Sequence, residues 1–386
     1  MSPNSTKTWC LRLFPILLFF ISCVTFYCSY AIIQSYAGTN RSPNSSKSLC
    51  GGWLTQKKWE SLNFNVSRQT KLFLKLEDFF WREHLASRLA LPYGVKGSEP
   101  LLLKALAVLA DYQVPDNIQN LECRTCVVIG NGFAIKNSSL GSIINKYDVV
   151  IRSTGKASWC EQKLYCTSGR FVLSNQKTPL RKGTGAGNRC GRNTPLRLND
   201  APVKGYEDDV GNKTTMRFFY PESASFNPGQ HNEAGTLMVL VPFKQQDLRW
   251  LKEILYNEKR VRKGFWKPPP QIWLGDTNKI RVLDPHFLHQ TADRLLRIPL
   301  HPNSKQQPVH PTTGILAVFV ALNYCDVVHV AGFGYPKTNS PRHPIHYYGF
   351  DTMRSMKNSY HDLDHEAQAL RRLENSGAIL YLHPHL

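Results

Sequence analysis

The stretch from Cys123 to Arg152, CRTCVVIGNGFAIKNSSLGSIINKYDVVIR, sets the tightest limit on what this chain can fold into. Val127-Val128-Ile129 is a short apolar run of the kind that forms a strand buried on both faces, and it runs straight into Gly130-Asn131-Gly132. A strand that ends in a glycine turn presents backbone N–H groups where a phosphate-bearing ligand can come close. Leu140, Ile143 and Ile144 then fall at helical spacing, and Tyr147 to Ile151 reads as a second buried strand. Strand, glycine turn, helix, strand is the nucleotide-binding half of an α/β domain with a mostly parallel, Rossmann-type sheet. The dinucleotide form of that unit requires G-x-G-x-x-G, and Ile135 stands where the third glycine should be.

A chain of 386 residues can bury one sizeable core, or two domains. Its net charge of +20 would suit nucleic acid, but there is no basic run of five or more and no helix-turn-helix, finger or ribonucleoprotein motif. No nucleic-acid partner is expected.

Leu13 to Ile33 gives 21 positions without a charge. A membrane-spanning helix needs ~20 apolar residues. A cleaved signal peptide has an apolar core of only ~7–15. The length therefore favours an anchor over residues 13–33. Lys7 and Arg12 precede it and the next positive charge is Arg41, which puts residues 1–12 in the cytoplasm and the bulk of the chain in the lumen. Residues 34–70 read as a luminal stem, polar and rich in Ser and Asn from Thr39 to Ser48, and residues 71–386 as the main domain. Glycosylation sequons stand at Asn40, Asn44, Asn65, Asn137 and Asn212. An amphipathic helix is expected from Leu72 to Leu89.

Of the ten cysteines, Cys123 and Cys126 form a C-x-x-C that could be a zinc half-site or a redox pair. No second half with suitable surroundings appears, and in a lumen disulfides account better for such residues.

The carboxyl half continues with strands. Lys213 to Glu222 alternates into a strand ending at Pro221, and Leu237 to Phe243 and Arg281 to Leu283 are apolar runs. Helices are expected over Leu248–Leu255 and Thr291–Leu296. Pro311-Thr312-Thr313-Gly314 precedes ILAVFVALNYC, and the strand Val327 to Ala331 leads into Gly332-Phe333-Gly334. The Thr-Thr-Gly turn could offer hydroxyls and N–H groups to a phosphate, or be an ordinary N-cap; local chemistry favours neither. Beyond it come His346-Tyr347-Tyr348 and the H-x-x-x-x-E pair His361 and Glu366.

Taken in order, these stretches resemble the large, small, third and very small sialylmotifs of animal sialyltransferases. They are especially similar to the β-galactoside α-2,3-sialyltransferases; general similarity favours the branch acting on Galβ1-4GlcNAc, with Galβ1-3GalNAc and glycolipid acceptors left open. The resemblance implies a GT-A-like α/β fold behind a single-pass type II Golgi anchor and a stem. It also implies transfer of sialic acid from CMP-sialic acid to the 3-hydroxyl of a terminal galactose, with inversion. His361 would be the base and His346 would hold or protonate the departing phosphate. Asn131, Asn199, Thr312, Thr313, Gly314 and Gly334 would bind the donor. Disulfides Cys126–Cys325 and Cys50–Cys123 are implied as well. The partners are then CMP-sialic acid, galactose-terminated glycans and the Golgi membrane. No cofactor or metal is expected: Asp362-Leu363-Asp364 spells D-x-D, but it lies inside the very small motif, and a CMP donor carries one phosphate.

One segment departs from the family. In relatives DVVIR runs directly into LNxAPV, whereas here Ser153 to Arg197 intervenes, with nine Lys or Arg against Glu161 alone. It has no sustained periodicity and reads as foreign sequence spliced into the donor site. The alternative it raises is a catalytically impaired Golgi protein that keeps the fold and binds glycans or partner enzymes.

Overall fold

The structure, a computed structural model, describes residues 71–81, 89–109, 116–154, 201–260, 262–300, 309–334, 343–353 and 361–384, together with Ser22 and Thr25. Almost all of the expected span, the stem, Cys50, Asn40, Asn44, Asn65 and Asn199 lie outside those residues. Among the described residues no helix is long and apolar enough to cross a membrane. Met1–Gly52 and Trp53–Leu386 are separate compact units, and the sheet with its helices belongs to the second.

Seven strands form one sheet: β1 (Thr125–Ile129), β2 (Val149–Ser153), β3 (Met216–Phe219), β4 (Leu237–Leu240), β5 (Ile280–Val282), β6 (Val327–Ala331) and β7 (Leu380–Tyr381). Their order is β5-β4-β3-β2-β1-β6-β7, and every pairing is parallel. The continuous apolar runs anticipated this, because a parallel sheet is covered on both faces. Successive strand residues point to opposite faces. Cys126 and Val128 pack in the cluster that contains helix Thr313–Tyr324, while Val127 and Ile129 pack with Ile135, Leu140 and Ile144. A third cluster joins Phe219, Leu240 and Val282 to Trp250 and Leu251 of helix Gln245–Leu255 and to Leu102 of helix Glu99–Leu106.

Helix Thr313–Tyr324 is buried all round, as a helix apolar on every side must be. Fully burying each large apolar side chain contributes ~1.5–3 kcal/mol. At its end Cys325 is disulfide-bonded to Cys126 of β1, with Cα atoms 6.0 Å apart. The expected pairing of large and small motifs is therefore present, and it adds ~2–4 kcal/mol. Cys123 is also disulfide-bonded.

Two expectations change. Leu72 to Leu89 is not one amphipathic helix: Phe73 forms an antiparallel bridge with Leu283, Leu74 donates its N–H to Val282 O (2.9 Å), and Asp284 donates to Leu72 O (3.1 Å). β5 is an edge strand, and its open backbone groups take up this segment before any helix starts at Asp78. The helix over Thr291–Leu296 is instead a π-helical turn, Thr291–Leu295, extending helix Pro285–Gln290. At the start of the segment that departs from the family, the sheet continues for two residues. Ser153 is the last residue of β2, in register with Phe218, and Thr154 donates its N–H to Phe218 O (3.1 Å). Ladder bonds are made by backbone, so these two residues complete the strand whatever their side chains. The described chain resumes at Ala201.

Candidate functional site

One cavity of about 510 Å³ opens at the carboxyl ends of the strands. Gly130 and Asn131 follow β1, Ser153 ends β2, Tyr220 and Glu222 follow β3, Phe243 and Lys244 follow β4, and Gly332 and Gly334 follow β6. In open parallel sheets ligands bind outside these ends, where the strand order reverses. Here that point is between β1 and β6, since β2 lies on the other side of β1.

Two glycine turns interlock at the reversal. A Cβ on Gly130 would come 2.4 Å from Gly332 O, so nothing larger than glycine fits there. Gly132 donates its N–H to Gly332 O, and Gly332 itself sits at φ +69°, in the left-handed region.

The second wall is the start of helix Thr313–Tyr324. Thr312 caps it, its hydroxyl accepting from Ile315 N (3.2 Å), and Thr313 donates its hydroxyl to Thr154 O (2.8 Å). So Thr312 is an N-cap and a cavity-lining residue at once, and both local readings of the Thr-Thr-Gly turn apply. Thr312 also donates its amide to Glu366 Oε1 (2.7 Å) and its hydroxyl to Glu366 Oε2 (2.6 Å). Burial pushes the Glu366 carboxyl up to about 7, against those two hydrogen bonds.

His346 and His361 both line the cavity. His346 is buried and stacked on Tyr348 at 5.3 Å, and its Nδ1 has no hydrogen-bond partner among the described residues. Burial lowers its pKa to about 4, so the ring is neutral near pH 7. His361 Nδ1 lies 2.7 Å from His310 O. A carbonyl can only accept, so Nδ1 carries the proton and the neutral ring has its lone pair on Nε2.

The same cavity is lined by a charged group that no sequence motif marks. Lys244 is ion-paired with Glu222 and stands 3.9 Å from Asp247 Oδ1 and 4.9 Å from the centre of the Phe265 ring. Asp247 Oδ2 accepts the N–H groups of Phe243 (2.8 Å) and Lys244 (3.1 Å). Burial, and then the Glu222 charge, raises the Asp247 carboxyl to about 7.

Asn131, Thr312, Thr313, Gly314, Gly334, His346 and His361 thus meet in one cavity, while Asn199 lies outside the described residues. Asn137 and Asn212 are exposed. Asp362 of the D-x-D caps helix Leu363–Asn375, its side chain accepting from His365 N. Sequence reasoning missed Ser153, Tyr220, Glu222, Lys244, Asp247 and Trp266 as lining residues. The available signal was position, since Tyr220 directly follows a strand and Lys244 follows soon after another.

The sequence matches Glycosyltransferase family 29 (sialyltransferase) over residues 73–157 and 192–378. The break falls inside the segment that departs from the family. The chain is 46% identical over 315 residues to a human CMP-N-acetylneuraminate-beta-galactosamide-alpha-2,3-sialyltransferase 4, covering 82% of this chain and 80% of that one. It is 39% identical over 277 residues to a mouse type 2 lactosamine alpha-2,3-sialyltransferase, covering 72% and 70%. A solved mammalian sialyltransferase superposes with a TM-score of 0.57 at 23% identity, covering 86% of this chain and 96% of that one, and so shares its fold. The chain belongs to glycosyltransferase family 29, the sialyltransferases.

Proposed function

We propose that this enzyme transfers sialic acid from CMP-sialic acid to the 3-hydroxyl of a terminal β-linked galactose. The observation that carries the reading is the convergence of His361, His346, the Gly130–Gly132 turn and the Thr312–Gly314 helix start on one cavity. Membership of the family and the names of the relatives supply the substrate class. The galactose hydroxyl attacks the anomeric carbon as the bond to the CMP phosphate breaks, and His361 Nε2 takes the hydroxyl proton. His346 faces the charge that develops on the leaving phosphate. Asn131, the Thr312–Gly314 turn and Gly334 hold the nucleotide, and Asn199 is proposed to join them.

The reaction uses no metal. A monophosphate leaving group needs no clamp, and Asp362 already caps a helix. The site works in the Golgi lumen behind a type II anchor over residues 13–33. An uncharged stretch of 21 residues, exposed sequon asparagines at 137 and 212 and the Cys126–Cys325 bond support that placement. The assembled cavity and the close relatives favour the transferase over the impaired glycan-binding protein. Titration with CMP, followed by transfer from CMP-sialic acid to lactosamine, tests the reading. No binding of CMP and no sialylated product from any galactoside would overturn it.

A further inference from the structure

We infer that His383, just beyond β7, is a positioning residue for the donor crevice, acting through Gly332. This rests on the donor-binding reading above. His383 is buried, and its Nε2 accepts the Gly332 N–H at 2.8 Å. An amide can only donate, so Nε2 bears the lone pair and Nδ1 carries the proton, which it gives to Pro384 O at 2.8 Å. Both ring nitrogens are therefore committed, and the tautomer is fixed by the backbone on either side of it.

Gly332 is held twice. Its amide is taken by His383, and its carbonyl accepts from Gly132 N (2.6 Å). The two peptide groups flanking its left-handed φ of +69° are thus both pinned. From Gly132 the contacts continue into the catalytic half, because Gly132 is bridged to His346 and Tyr347 donates to Asn131 O (3.1 Å). Hydrogen bonds join His383 to Gly332 and Gly332 to Gly132, and on either side of Gly132 the bonds Tyr347 N to Asn131 O and Phe133 N to Ile345 O (3.0 Å) tie this turn to the segment around His346. Gly332, Gly132, Asn131 and His346 all line the cavity.

Without the imidazole, the Gly332 N–H is a buried donor with no acceptor, an arrangement folded chains avoid. Rotating that peptide to find another partner would pull Gly332 O from Gly132 and open the turn that a nucleotide would lie against. β7 brings the imidazole into place: it pairs with β6, and Leu382 donates to Val330 O (3.0 Å). The match to the family ends at residue 378, so this element lies beyond the part the family defines.

His383→Leu removes the acceptor, whereas His383→Gln returns an oxygen to the position of Nε2. The leucine variant should bind CMP about tenfold more weakly, or about 1.4 kcal/mol. KM for CMP-sialic acid should rise in parallel and KM for the galactoside stay unchanged, with glutamine restoring both donor values. A histidine that only fills space would lower thermal stability and leave the donor constants alone, so a folded leucine variant with parental CMP affinity overturns the inference and leaves the transferase reading standing. A parent that binds no CMP overturns both. If the leucine variant does not fold, magnetic resonance of isotope-labelled histidine in the parent decides: the Nδ1–H tautomer, with Gly332 amide exchange slowed further by CMP, supports the inference, and the Nε2–H tautomer refutes it.

Discussion

Glu366, in the first turn of helix Leu363–Asn375, takes both hydrogen-bond donors of Thr312, the residue that caps helix Thr313–Tyr324. One carboxylate thereby joins the amino ends of two helices at the cavity wall, and His361, five residues earlier, contacts His310 O through its own Nδ1. The arrangement is costly in one respect. The carboxyl is buried, and its pKa rises from its ordinary 4.5 to about 7.

Stability therefore depends on pH. Below about pH 4.5 Glu366 is protonated in the folded and the unfolded chain, and its contribution is fully present. Between there and about pH 7 the folded state keeps a proton that the unfolded chain has released, so stability falls as pH rises. One such group costs at most roughly 1.4 kcal/mol per pH unit in that window. Asp247, raised from 3.8 to about 7, adds a fall of the same sign. Glu366→Gln should reduce the loss between pH 5 and 7, and adding Asp247→Asn should flatten it. Denaturant midpoints across that range give the answer, and an unchanged slope in the double variant contradicts it.

Lys244 places its cation beside two buried carboxylates, Glu222 and Asp247. Lys244→Met leaves them uncompensated, and breaking a buried pair from one side costs ~3–5 kcal/mol. Glu222→Gln in the same chain should return most of that stability. Urea unfolding of the single and double variants measures it. If the double variant is less stable than Lys244→Met, the charge argument fails.

His361→Ala should abolish transfer and leave CMP binding nearly intact. The Nδ1–H contact with His310 O directs the Nε2 lone pair away from that wall, and losing a general base typically costs ~10²–10⁴-fold in rate. Transfer at the parental rate, with CMP affinity also unchanged, removes His361 from the role.

Local chemistry encodes some of this molecule and leaves the rest to distant contacts. β1 and β6 were legible because a strand buried on both faces is mostly apolar: Val127–Ile129 is so throughout, and Val327–Ala331 is interrupted only by His329. Thr312 was legible as a cap because its hydroxyl serves its own helix. Leu72–Leu74 was not, since its apolar side chains suit either element and the free edge of β5 decided the matter. Lys244, Asp247 and His383 become visible only once distant segments meet. Nothing within a few residues of His383 indicates that its acceptor nitrogen will serve a glycine 51 positions earlier. That Ser153 and Thr154 extend β2 was not legible either, because their pairing with β3 is made by backbone and leaves no mark in their side chains.

Activity should survive excess EDTA. Asp362, the first carboxylate of the D-x-D, accepts the His365 N–H (2.9 Å) and is occupied in capping a helix. Loss of turnover on chelation, with recovery on adding Mn²⁺, would show that the enzyme needs a metal.

The last prediction concerns the segment that interrupts the family match. Deleting Ser153 to Arg197 restores DVVIRLNDAPV, placing Leu198 where Ser153 now ends β2 and Asn199 where Thr154 now stands. The backbone bond that Thr154 makes to Phe218 O can be made equally by Asn199. The side chain cannot copy Thr154 so simply, since that hydroxyl contacts both Phe218 O (3.0 Å) and Ser223 Oγ (2.8 Å). Asn199 offers a longer amide that can reach the cavity beside Thr313, whose hydroxyl now donates to Thr154 O. Loop closure is a minor factor, because closing a long loop costs only ~0.6 kcal/mol more per doubling of its length. The larger effect is on the site, where the segment leaves next to Ser153, a cavity-lining residue, and carries nine basic residues with it. The deletion should raise sialyl transfer at least about tenfold, equivalent to ~1.4 kcal/mol in the barrier, and tighten CMP binding. Luminal fragments with and without the segment, compared for CMP affinity and transfer rate, provide the measurement. Equal activity in the two would mean that Ser153 and Thr154 serve the donor as well as Leu198 and Asn199 do, and that the segment is a tolerated loop.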